Sequence, residues 1–128
     1  MTDDLTQARI GENQSTFREA NENIRSAATK IGVDGQVPFV CECAEPTCTQ
    51  IVRLELAEYA AIREHPRRFF NALGHEELSV RAGAGRVLER RDGYVLVEKT
   101  GIAGEIAEQE ARDGRASASR REERSRLP

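Results

Sequence analysis

The spacing of apolar residues changes period several times along the chain, and each change marks a predicted element. Over Asn13–Ile31, Phe17, Ala20, Ile24, Ala27 or Ala28, and Ile31 recur about one helical turn apart, which predicts an amphipathic helix. Asn13 or Ser15 can cap it, Glu19 and Glu22 suit its early turns, and Gly32 closes it. Such a stripe predicts a helix packed on the domain, with docking to a partner as its other use. The run "VPFVCEC" alternates instead, with Val37, Phe39, Cys41 and Cys43 on one face of a strand. "AEPT" reads as a turn, to which Pro46 is suited, and "QIVRLEL" as the returning strand. "LAEYAAIREH" returns to helical spacing and must stop at Pro66. "RRFFNAL" is short and apolar. "GRVLERRDGYVLVEK" alternates on both sides of Asp92–Gly93, a strong two-residue hairpin turn, and "GIAGEIAEQEARD" predicts a terminal helix.

These elements predict an α+β fold: a small antiparallel sheet of hairpins with N- and C-terminal helices. The expected organisation is one domain over residues 13–112, a flexible N-terminus at 1–12, and a disordered Arg-rich tail at 113–128. No internal repeat is present.

Composition sharpens the picture in two ways. The 128-residue chain is 38% hydrophobic and 5% aromatic and has no Trp, which predicts a small core in need of a staple. Its net charge of −3 is uneven. Residues 115–128, "RASASRREERSRLP", hold five Arg and two Glu, leaving 14 basic and 20 acidic side chains before them. An acidic body does not advertise a nucleic-acid surface, and the tail reads as a solvated end. No apolar run approaches the roughly 20 residues needed to cross a bilayer. The start "MTDDLTQARIGENQ" has no basic-then-apolar leader, so a cytoplasmic location is expected.

All three cysteines fall within eight positions, as C-x-C-x4-C at Cys41, Cys43 and Cys48. An odd number of thiols in a reducing compartment argues against a disulfide framework. Two cysteines on one strand face, followed by a proline turn that returns the third, point to metal ligation, with zinc the expected ion. A structural zinc site takes four ligands, and only His65 and His75 can supply an imidazole. His65 sits at a predicted helix end, where it suits the helix dipole. His75 follows Gly74, which lets the backbone turn and offer the ring, so His75 is the expected fourth ligand.

The runs "TFREANENI", "VPFVCECAEPTCTQIVRLELAEYAAIREHPRRFFNALGHE" and "VLERRDGYVLVEKTGIAGEIAE" together resemble a small uncharacterised actinobacterial protein family. The likeness runs from about Ala8 to Glu110 and rests on F-x-C-E-C-x4-C, E-Y-x3-R-x-x-P-x-R-F and G-H-E in that order. It implies that Cys41, Cys43, Cys48 and His75 belong to a shared pattern. It lends a fold and a metal site, not an activity.

Rival readings are weaker. Three Cys and one His also bring to mind iron–sulfur proteins of the CDGSH type, but those place the His a few residues after the last Cys. Here "TQIVRL" follows Cys48. A filled Cys3His shell leaves no open position for catalysis, so no enzyme is expected and no small-molecule substrate is evident. "RAGAGR" lacks the third glycine of a dinucleotide loop. The expected function is a zinc-stapled protein-interaction or regulatory module, with the N-terminal helix as a candidate partner surface. The alternatives are a nucleic-acid-binding module using Arg63, Arg67, Arg68 and the tail, and a thiol redox sensor.

Overall fold

The computed structural model describes the backbone of residues 4–126 and the side chains of residues 4–113. The stretch 113–128, expected to be a disordered Arg-rich tail, carries helical backbone as far as residue 126, and its side chains after residue 113 lie outside the described residues. Helix α1 (Asp4–Ile31) leads into strands β1 (Gln36–Val40) and β2 (Ile51–Glu55) and helix α2 (Leu56–Arg63). Strand β3 (Arg68–Asn71), helix α3 (Glu77–Arg81), strands β4 (Gly85–Arg91) and β5 (Tyr94–Lys99), and helix α4 (Gly101–Arg126) complete the order. The fold is α+β with helices at both ends, as the periodicity predicts. No helix among the described residues is long and apolar enough to cross a membrane.

The strands form two sheets rather than one. β1 and β2 pair antiparallel, with Val37 opposite Leu54 and Phe39 opposite Val52. β3, β5 and β4 form the second sheet, in that order. The β4–β5 hairpin turns at Asp92–Gly93 as expected, with Gly93 at φ 86°. Alternation puts Val37, Phe39, Val52 and Leu54 on the buried face of the first sheet, and β3 and β5 add Phe69, Phe70, Val95 and Val97. Phe39 and Tyr59 stack at 4.3 Å, and Phe70 meets both rings edge-on at 6.2 and 6.0 Å. Three or four large rings in mutual contact are worth several kcal/mol beyond their area, on the order of 1 kcal/mol per pair. The core is therefore more substantial than the low aromatic fraction suggests, because four of the six rings are placed in one cluster.

Helix α1 departs from expectation at both its start and its face. It begins at Asp4, so most of the stretch read as a flexible lead-in supplies its first turns. Its buried positions are Ile10, Gly11, Gln14, Arg18, Asn21 and Ala28. The predicted stripe is displaced: Phe17, Ala20 and Ile24 flank the interface, and Ile31 is 78% exposed. The physical reason is that α1 lies over carbonyls and polar side chains that need partners. Arg18 donates to the carbonyls of Pro66 and Ala107, and Gln14 donates to Ser79 Oγ. α1 also packs on α4 at Gly11, where a Cβ would stand 3.1 Å from Ala103 Cα. Only a residue without a side chain lets the two helices approach so closely.

Lys99 has no exposed surface. Its Nζ lies 5.1 Å from the Phe69 ring centre and donates to Ser79 Oγ at 3.4 Å. Burial pulls its pKa down to about 7, against upward pressure from Glu42 and the nearby thiols. The unfolded chain keeps this amine charged up to its ordinary value of 10.5, so folding releases a proton between pH 7 and 10.5. Stability therefore rises with pH across that window, and below pH 7 the full cost is present, with a ceiling on the order of 5 kcal/mol. Lys99→Met is expected to be more stable than wild type at pH 6, with the gain shrinking steadily toward pH 10. Denaturant unfolding of both proteins across that range measures it, and a gain independent of pH would contradict a neutralised lysine.

Candidate metal centre

Strand β1 ends at Val40, so the cysteines do not share a strand face as the alternation predicts. The Cys41 amide still donates to Gln50 O at 3.0 Å, the last rung toward β2. The next amide, Glu42 N, donates instead to Phe70 O at 3.0 Å. Consecutive amides of an extended chain face opposite edges, so Cys41 bonds the first sheet and Glu42 the second. In the orientation its neighbours require, the Asn71 amide nitrogen donates to Glu42 O (2.7 Å) and Phe70 O (2.9 Å). This crossing, between two sheets, is where the ligands gather.

Each remaining ligand arrives on a turn. Cys48 N donates to Glu45 O at 3.1 Å, closing a turn with Pro46 in its second position. The Glu45 carboxylate accepts from Thr47 N (3.1 Å) and Thr47 Oγ1 (2.8 Å), which stiffens that turn and lowers the Glu45 pKa. After β3, His75 N donates to Ala72 O at 3.0 Å around Gly74, whose φ of 87° suits glycine. Ala72 N also donates to Cys41 Sγ at 3.2 Å. The β3 turn therefore supplies one ligand and braces another.

The four ligand atoms of Cys41, Cys43, Cys48 and His75 lie within 4.8 Å of one another. His75 Nδ1 is 3.4 Å from Cys48 Sγ and 3.8 Å from Cys41 Sγ. With metal–sulfur bonds of about 2.3 Å and metal–nitrogen bonds of about 2.0 Å, tetrahedral ligands stand roughly 3.5–3.8 Å apart. The donor set and its spacing fit a metal ion. His65 is exposed at the end of α2 and takes no part in this cluster.

The thiols are electrostatically unequal. The hydrogen bond from Cys41 holds Cys43 down to about 5, with further help from His75 and the Glu45 backbone against the cost of burial. Cys41 is pushed far up by keeping that shared proton and by burial. Burial also raises Cys48. One ligand is thus a ready thiolate, while two must give up protons to a metal.

Glu42, between the first two ligands, is fully buried and went unrecognised in the sequence. Its carboxylate accepts from Arg63 at 2.8 and 3.2 Å, from Asn21 at 2.9 Å and from Phe70 N at 3.4 Å. Burial lowers the Arg63 pKa, but the Glu42 carboxylate more than offsets it. Asn21 in turn clasps the Val40 backbone, donating to its carbonyl at 2.9 Å and accepting from its amide at 2.8 Å. The only available signal was an acidic residue caught between two cysteines in an otherwise apolar run. Among the arginines weighed for nucleic acid, Arg63 is committed to Glu42, Arg67 bonds Glu108 at 2.6 Å, and Arg68 stands opposite Glu98 in the β3–β5 register.

Comparison with protein-family models, curated proteins and solved structures finds no match to this chain. The site must therefore be read from its own chemistry.

In metal-free protein, one thiol is expected to titrate near pH 5 and the other two to stay protonated through pH 8. Thiolate absorbance followed across a pH titration measures this. Adding Zn2+ at pH 8 is then expected to release two thiol protons. Release of three would contradict a preformed Cys43 thiolate.

Proposed function

We propose that the chain is a zinc-binding module of the reducing cytoplasm, with a structural Cys3His site, that works by docking to a protein partner. The observation that carries the metal reading is the convergence of three sulfurs and one imidazole from the crossing of two sheets. Zinc is the favoured ion because it accepts mixed thiolate and imidazole ligands in a tetrahedron without a redox demand. Cys41, Cys43 and Cys48 bind as thiolates and His75 binds through Nδ1. A shell of four protein ligands leaves no open coordination position, which favours a structural over a catalytic role.

Docking is supported by apolar side chains next to the ligand-bearing segments. Ile51, immediately after the cysteine loop, and Leu73, two residues before His75, are 49% and 58% exposed. Helix α1 is not the surface favoured now, since its buried face holds Asn21, Arg18 and Gln14 inside the domain.

Elemental analysis of freshly purified protein is expected to find one zinc per chain and a colourless solution; a brown colour would signal an iron–sulfur cluster. Cys43→Ser and His75→Ala are expected to lose most of the metal. Chelation of wild type is expected to lower the melting temperature while leaving a cooperative transition, because the aromatic rings of the core contact one another directly. Stoichiometric zinc retained by Cys43→Ser would refute the assigned ligand set. Partner capture that survives high salt supports docking, whereas steep salt dependence supports phosphate binding.

A further inference from the structure

The two ligands nearest in sequence are separated by a residue whose side chain is used entirely for holding the backbone. Glu42 has no exposure, and its carboxylate meets donors from three other elements: Asn21 of α1, Arg63 of α2 and Phe70 of β3. Its own amide and carbonyl are taken by Phe70 O and the Asn71 side chain. Two residues earlier, Asn21 occupies both backbone groups of Val40. In the segment 40–42 all three amides and the carbonyls of Val40 and Glu42 are thus held by hydrogen bonds.

That constraint decides where the sulfurs go. If the segment continued the β1–β2 ladder, Cys41 and Cys43 would stand on one strand face, about 6.5–7 Å apart at their Cα atoms. A tetrahedral site needs the sulfurs themselves at roughly 3.8 Å. Glu42 N faces the edge away from β2 and donates to Phe70 O, which ties the backbone between the two cysteines to β3. The ion pair with Arg63, whose guanidinium lies 5.1 Å from the Tyr59 ring centre and 5.5 Å from that of Phe69, holds that tie in place.

We propose that Glu42, Arg63 and Asn21 are positioning residues of the metal centre, setting the Cys41–Cys43 geometry before an ion enters. The proposal rests on the metal reading above. Outer-shell partners of this kind are worth about 10–100-fold in metal affinity. Removing one member of a buried ion pair also destabilises the fold, whereas removing both relieves the stranded charge. That difference separates positioning from simple folding support.

The test is a Co2+ titration of the full chain, competed against a chelator and followed through the visible bands of tetrahedral thiolate-bound cobalt. The proteins are wild type, Glu42→Gln, Arg63→Met, the Glu42→Gln/Arg63→Met double variant and Asn21→Ala. The double variant is expected to recover melting temperature relative to the single changes, yet to bind Co2+ about 10–100-fold more weakly than wild type with altered bands. Asn21→Ala, which leaves the ion pair intact, is expected to weaken Co2+ by about tenfold. A folded double variant or a folded Asn21→Ala protein with wild-type affinity and spectrum would overturn the positioning role while leaving the metal site standing. If wild type itself shows no tetrahedral cobalt bands, the metal reading falls and the positioning role falls with it.

Discussion

A fully buried carboxylate is tolerable only when donors replace the water it has lost. Glu42 obliges α1, α2 and β3 to come together, because no single element could satisfy it. The two sheets are joined at this residue: its amide is the first rung to reach β3, and its carbonyl takes the Asn71 side chain. Arg63 brings the balancing charge and lies over Tyr59 and Phe69, so the ion pair closes one side of the aromatic cluster. Charge, rings and sheet crossing form one unit.

This arrangement changes what a metal ion has to do. A chain with few large apolar residues invites the view that an ion substitutes for a core. The rings here instead gather under the sheet crossing, with Phe39, Tyr59, Phe70 and Tyr94 in sequential contact. A metal at the cysteine cluster then fixes the loop between β1 and β2 to the turn after β3, beside a junction that hydrogen bonds already make. Its contribution falls on two turns and on the loop's mobility rather than on the whole fold.

Much of this was legible in the sequence. The Asp92–Gly93 turn between two β-rich runs dictated the β4–β5 hairpin, although β5 is buried on both faces and a bulge interrupts the register between Val87 and Glu89. The convergence of Cys41, Cys43, Cys48 and His75 was legible because cysteine and histidine are scarce and chemically distinctive. Gly74 gave away the turn that carries His75. The face of α1 was not legible. Phe17, Ala20 and Ile24 form a plausible stripe, and nothing local reveals that carbonyls of Pro66 and Ala107 lie underneath, asking for Arg18. The end of β1 was hidden for a similar reason. Cys41 and Cys43 continue the alternation, and nothing local shows that the last rung to β2 is at Cys41 while Glu42 bonds the distant Phe70. Local periodicity reports which residues can be buried; it does not report which backbone groups elsewhere need partners.

The polar face of α1 has a further consequence for the site. Gln14, Arg18 and Asn21 recur at helical spacing, yet each answers a different element: Ser79 of α3, the carbonyls flanking β3 and in α4, and Val40 of β1. An apolar stripe on a helix tolerates sliding by a fraction of a turn, because one hydrocarbon contact replaces another at little cost. Three directed hydrogen-bond sets do not, since a shift of an ångström breaks all of them together. Buried polar groups contribute less to stability than hydrocarbon of equal volume, and their best-attested use is to fix register. A tetrahedral metal site tolerates misplacement of only about 0.5 Å, so a helix locked in register over Val40 is what a ligand at Cys41 requires.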